Sequence, residues 1–143
     1  MAIGAESGGK ADARTDRLRA DADVSGLSEG GAPPMYFAPH ESSRPVEMRP
    51  GVTRRSLGLG PNTLLCEITL KADSLVEMHS HPHEQIGYCV SGEVVMEVGG
   101  EERTLHPGDS YAIPGGVKHY AKANVDSVVI DIFHPVREEY LDR

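Results

Sequence analysis

From Thr63 to Phe133 the chain is a series of short apolar runs separated by turn signals. TLLCEITL at 63–70 follows a Gly-Pro-Asn turn. Leu75–His81 comes next, and then IGYCV at 86–90, closed by Ser91-Gly92. Between Glu93 and Val98 the pattern alternates, with Val94, Met96 and Val98 on one side and Glu93 and Glu97 on the other. Gly99-Gly100 is a hairpin signal with 102–105 as its return strand. Pro107-Gly108-Asp109 and Pro114-Gly115-Gly116 bracket Ser110–Ile113, and His119–Ala123 and Ser127–Phe133 complete the set. Strands this short, spaced by roughly 8–12 residues, predict a β-sandwich or small barrel. No segment sustains a 3.6-residue period, so the fold class is all-β.

The composition agrees. Among 143 residues there are 16 Gly and 10 Pro, which suits many tight turns and leaves room for one core. From Met1 to Pro34 the large apolar side chains are isolated (Ile3, Leu18, Val24, Leu27), too few to offset the entropy of ordering that stretch. Residues 1–34 are therefore expected to be a disordered tail, and 35–143 a single domain. MYFAPHESSRPVEMRP at 35–50 reads as extended edge strand or loop. Acidic residues outnumber basic ones 22 to 14, for a net charge of −8. That balance argues against nucleic acid and anionic membrane as partners. No apolar run reaches the roughly 20 residues of a spanning helix. No signal-peptide stretch opens the chain, which makes the cytoplasm the expected location. Cys66 and Cys89 form no CxxC pair and are too few for a disulfide framework.

The most informative stretch is Glu77-Met78-His79-Ser80-His81-Pro82-His83-Glu84-Gln85. Two residues apart on a strand, His79 and His81 project from one face, and neutral imidazole suits Zn, Ni, Fe and Cu. Pro82 interrupts the ladder and redirects the chain, bringing Gln85 in at the start of the next strand. His119 follows the Pro-Gly-Gly turn, well placed to close the set. An H-x-H pair alone is equally compatible with packed or solvated histidines, so the neighbouring residues decide the reading.

Those neighbours resemble the cupin superfamily. Its first motif, H-x-H, an acidic ligand and then Gly, maps onto His79, His81, Gln85 and Gly92, with Gln in the acid's place; the motif's leading Gly falls on Asp73. The second motif maps onto Gly108, Pro114, Gly116 and His119, and its final Asn position holds Ala123, with Asn124 one further on. The resemblance spans 62–133 and implies a double-stranded β-helix (jelly-roll) barrel with one divalent metal ion (Zn, Ni, Mn or Fe) inside one mouth, held by His79, His81, Gln85 and His119. An amide in place of a carboxylate would leave such an ion its full charge, and so a stronger Lewis acid.

The last strand adds a second signature, DIFHPVREEYL at 131–141. A carboxylate at Asp131 in the otherwise apolar SVVIDIF is costly to bury. Arg137 could offer its planar fork to a substrate carboxylate, or form a structural ion pair with Asp131. Together with HSHPHEQIGY and the Gly-Asp-Ser-Tyr-x-Ile-Pro stretch, this ending is similar to the small pectin- and alginate-degradation (KdgF-like) cupins, which open the ring of 4,5-unsaturated uronates. That resemblance implies Asp131 as the acid/base residue, Phe133 as a pocket wall and Arg137 as the grip on the uronate. His134 stands where this ending commonly has a small polar residue, a change that could crowd the pocket mouth.

The reading is therefore a metal-dependent isomerase or lyase-type cupin acting without redox change on a small, oxygen-rich, carboxylated substrate. The alternatives are a cupin dioxygenase or polyketide cyclase, and a small-molecule-binding cupin without turnover. Tyr88 and Tyr111 are expected to line the pocket, and Cys66 and Cys89 to be buried hydrophobes. His40, His83 and His106 are expected at the surface. Small cupins commonly pair as homodimers, and 35–50 could add an edge strand to a partner.

Overall fold

The computed structural model describes residues 36–142. The tail expected at 1–34 lies outside the described residues. Ten strands in this range form two antiparallel sheets. They are β1 (Val46–Arg49), β2 (Val52–Leu59), β3 (Leu64–Leu70), β4 (Leu75–His79), β5 (Glu84–Ser91), β6 (Val94–Val98), β7 (Glu101–Leu105), β8 (Ser110–Ile113), β9 (His119–Ala123) and β10 (Ser127–His134). The larger sheet runs β1-β2-β3-β10-β5-β8 and the smaller β4-β9-β6-β7. All-β architecture follows from the sequence as expected, since each run stops at the turn residues that end it.

Alternation along each strand sends one set of side chains between the sheets. Val52, Leu64, Ile68, Leu70, Val94, Met96, Ile113, Val129 and Phe133 form the core there. β10 is the middle of this arrangement: it pairs with β3 on one side and β5 on the other, so that Asp131 stands opposite Cys66 and Gly87. In this central strand Val129, Asp131 and Phe133 are buried, and Ile132 and His134 face out.

Two elements depart from expectation. β2, with sequence VTRRSLGL, carries adjacent arginines and a glycine that hide its period, yet Val52, Arg54 and Ser56 are all buried on one face. Among the described residues of 36–50, Val46–Arg49 is an edge strand beside β2, as the segment's pattern leads one to expect. β4 also ends at His79, two residues before His81. Pro82 has no N–H for the ladder, and the His81 carbonyl instead accepts from Gly116 N–H at 2.8 Å.

The turn residues earn their places through backbone geometry. Asp73 adopts φ +66°, the left-handed region that Asp tolerates better than most residues, at the position where the cupin motif has its leading glycine. Gly92, at φ +87°, is so crowded that a Cβ would lie 2.2 Å from Ser127 Oγ and 2.5 Å from the Asp126 carbonyl. Gly100 has a similar φ of +85°, but open space around it. The two positions separate crowding from conformational strain. Gly92→Ala should destabilise the fold by about 2–4 kcal/mol and Gly100→Ala by about 1 kcal/mol, measured by chemical denaturation. Equal losses at both sites would mean that backbone conformation alone sets the cost.

Candidate metal centre

Three imidazoles converge from three different segments. His79 ends β4, His119 begins β9 directly opposite it in the ladder, and His81 lies on the turn after β4. Ring centroids are 4.2 Å apart for His79–His119, 4.9 Å for His81–His119 and 5.7 Å for His79–His81. One nitrogen from each lies within 4.8 Å of the others, a grouping that could hold a metal ion. Each ring is held from behind by main chain: Nδ1 of His79, His81 and His119 faces the carbonyls of Glu77, His83 and Val117 at 2.7, 3.0 and 2.9 Å. A carbonyl can only accept, so Nδ1 bears the proton and Nε2 presents a lone pair inward.

Two further observations fit a cation. His119 Nε2 is buried without a hydrogen-bond partner, an arrangement that is unfavourable unless something positive meets the lone pair. His81 Nε2 lies 3.0 Å from Gln85 Oε1. The Gln85 side chain also hydrogen-bonds the Asp131 carboxylate, so its amide donates there and its oxygen faces the histidines. In that arrangement two acceptors oppose one another, which a divalent ion between them would reconcile. Burial, followed by Arg137 and His119, holds the His81 pKa down at about 4, and burial also lowers that of His119. Both rings are thus neutral near pH 7, the form that binds metal. Imidazole nitrogens with an amide oxygen suit Zn, Ni, Mn or Fe.

Beside the histidines lies a cavity of about 590 Å³, open end included, whose polar wall comes from β5, β8, β10 and the C-terminal segment. Asp131 is buried there, and desolvation raises its carboxyl pKa against the opposing pull of Tyr111, Gln85 and Arg137. Tyr111 Oη donates to Asp131 Oδ1 at 2.5 Å. The Tyr111 ring lies across Gly87, where a Cβ would come within 2.0 Å of it. Phe133 packs edge-on against His81 at 5.9 Å. Arg137 lies over the Phe133 ring at 5.2 Å, and its Nε donates to Glu139 Oε1 at 2.7 Å. The alternative ion pair with Asp131 is therefore replaced by one with Glu139.

Comparison with known proteins bears on this geometry. A family model described as a cupin domain matches residues 66–133. The pectin degradation protein KdgF of Dickeya dadantii is 27% identical over 97 residues, covering 66% of this chain and 88% of that one. The structure of KdgF from Halomonas sp. superposes with a TM-score of 0.70 at 33% identity, covering 73% of this chain and 97% of that one. An RmlC-like cupin from Shewanella frigidimarina gives a TM-score of 0.72 at 29% identity, covering 76% and 97%. This chain is a KdgF-like cupin.

The two cupin motifs meet physically at the centre. A Cβ at Gly115 would lie 2.3 Å from the Pro82 carbonyl, so the Pro-Gly-Gly turn before His119 packs tightly on the turn that carries His81. Of the residues singled out from sequence, His79, Gln85, Tyr111, His119, Asp131, Phe133 and Arg137 all line the cavity, and His81 adjoins it through Gln85. Tyr88 does not: it is exposed on the outer face of β5 with Ile86 and Val90. The alternation that turns Gln85 and Cys89 inward necessarily turns Tyr88 outward. His134 likewise faces out, away from the cavity wall formed by Phe133. His40 and His106 are exposed, paired with Glu67 and Glu93. His83 is half-buried and supports the site through its carbonyl.

Sequence reasoning missed Tyr140, which lines the cavity, and Arg54, buried behind it. The tyrosine lies within the C-terminal signature and was legible there, whereas Arg54 sits in a strand without a visible period.

Replacing one imidazole tests the centre. The wild-type cupin should hold about one divalent ion per chain, and His81→Ala should lose it, by elemental mass spectrometry on untagged protein. Equal metal content in both, or none in either after reloading, would contradict the assignment.

Proposed function

We propose that this cupin is a metal-dependent enzyme that opens the ring of 4,5-unsaturated uronate monosaccharides to the linear keto form. The observation that carries the reading is the buried Asp131 carboxyl, set beside the histidine cluster in a cavity that also contains Arg137. The similarity to the KdgF proteins, one of them a pectin degradation protein, supports this substrate class.

The chemistry asks little beyond proton movement. The hemiacetal O–H at C1 loses its proton, the C1–ring-oxygen bond breaks and an aldehyde forms. The ring oxygen departs as an enolate conjugated through C4–C5, and protonation at C4 gives the ketone. The net change is an isomerisation with no oxidant or reductant. Asp131 would take the first proton and return one to C4, a task suited to a carboxyl whose pKa burial has raised. Tyr111 donates to the same carboxylate and fixes which oxygen lone pair is free to work. Arg137 would pair with the substrate carboxylate, and Phe133 would close the wall against water. His79, His81, Gln85 and His119 would hold the divalent ion, which supplies Lewis-acid polarisation of substrate oxygens when bound.

Replacing the carboxyl with an isosteric amide separates catalysis from binding. Asp131→Asn should reduce turnover of 4,5-unsaturated galacturonate by about 10²–10⁴-fold, followed by NMR as loss of the C4 vinyl proton, while metal content stays unchanged. Unchanged turnover in the variant would remove Asp131 from the reaction. A wild-type protein that binds the uronate without converting it would point to the binding cupin instead.

A further inference from the structure

Arg137 reaches the cavity from a short C-terminal segment outside the sheets, and a long flexible cation on such a segment needs something to hold it. The structure supplies a stack. The Arg137 guanidinium lies 4.1 Å from the centre of the Tyr140 ring, and Arg54 lies 4.2 Å from the same ring. Tyr140 is also packed edge-on against Phe133 at 5.5 Å. One tyrosine thus contacts two cations and the aromatic wall of the site.

The deeper cation is the anchor. Arg54 is 2% exposed, inside the barrel on β2. Its Nη1 donates to Ser56 Oγ at 2.5 Å and to the Tyr140 carbonyl at 2.8 Å, and its Nη2 pairs with Asp142 Oδ1 at 2.5 Å. Ser56 Oγ donates to the same Tyr140 carbonyl. A buried guanidinium is costly unless its donors are met; here both Nη groups are met, mostly by residues 140–142, while Nε has no hydrogen-bond partner. The main chain of Tyr140 is therefore pinned to β2, which fixes the ring above it. On the outer side, Glu139 occupies Arg137 Nε–H and leaves the Nη edge for a ligand.

We propose that Tyr140 is the positioning residue for Arg137, with Arg54 as its buried anchor, so that the carboxylate-binding fork is set before substrate arrives. The proposal rests on the reading of Arg137 as the grip on a substrate carboxylate. Preorganisation of this kind lowers the ordering cost of binding, and a guanidinium on an aromatic face keeps its planar donors free in the ring plane's direction.

The test compares Tyr140→Leu, which removes the ring, with Tyr140→Phe, which keeps it, and with Arg54→Met. Tyr140→Leu should raise KM for 4,5-unsaturated galacturonate about ten-fold with little change in kcat, and Tyr140→Phe should behave as wild type. In parallel, ¹⁵N relaxation of the Arg137 Nε–H should report a rigid side chain in wild type and Tyr140→Phe, and a mobile one in Tyr140→Leu and Arg54→Met. An unchanged KM in Tyr140→Leu, or an Arg137 signal as rigid as in wild type, would overturn the proposal. If wild type fails to convert the uronate, the substrate reading falls, and Nε–H order still decides the positioning role. Should Arg54→Met fail to fold, the two Tyr140 variants decide it.

Discussion

The site depends on β10 being clasped between β3 and β5. A strand paired on both edges has its register fixed by two ladders at once, and in this one the register carries chemistry. Opposite Asp131 stand Cys66 on one neighbour and Gly87 on the other. Beyond Gly87 comes Tyr111 on β8. The missing side chain at Gly87 lets the Tyr111 ring lie across the sheet and reach Asp131. A one-residue slip of β10 would turn Asp131, Val129 and Phe133 outward together, removing the carboxyl, the wall and the core in one move.

The histidines are organised by a different principle. They do not share one strand, and each ring is oriented from behind by main chain. Main-chain carbonyls behind each Nδ1 do that work: that of Glu77 is held in β4, and those of His83 and Val117 by turns that lock together where Gly115 packs on Pro82. The metal-facing nitrogens are therefore oriented by backbone, which has few ways to move once its hydrogen bonds are made. This is why two motifs far apart in the chain act as one object: each supplies a turn, and the turns hold each other.

Much of this was legible in the sequence because it is written in period and punctuation. β8 and β9 have the bounds that their flanking turns indicate, and the inward set Gln85, Asp131 and Phe133 follows from alternation. β2 was hidden because Arg54 stands at an inward position where a pattern reader expects an apolar residue. Besides Ser56 on the same strand, its donors are met by the C-terminal segment, arriving from 86 residues further along, and no local pattern can announce such a partner. His81 shows the opposite limit. The H-x-H spacing suggested one strand carrying both rings, but the second lies on a turn, brought to the site by Pro82 and the loop it packs against. Tyr88 was an aromatic residue near the motif whose parity contradicted its chemistry, and parity prevailed.

The glutamine in place of the family's acidic ligand also follows from this arrangement. Gln85 faces Phe133 across the ladder and touches both the histidines and Asp131. A carboxylate there would set two negative groups side by side in a buried space, and such pairs cannot both ionise readily. An amide avoids the conflict because its two ends differ: the oxygen turns to the histidines and the N–H to Asp131. The negative charge of the site then resides on Asp131 alone, where a proton has to be taken and returned. On the uronate reading, Gln85 is what allows one cavity to hold a divalent ion at full charge and a working base next to it without either neutralising the other. The stack that holds Arg137 completes this separation. It holds the Arg137 guanidinium over the Phe133 ring, ion-paired with Glu139 and not with Asp131.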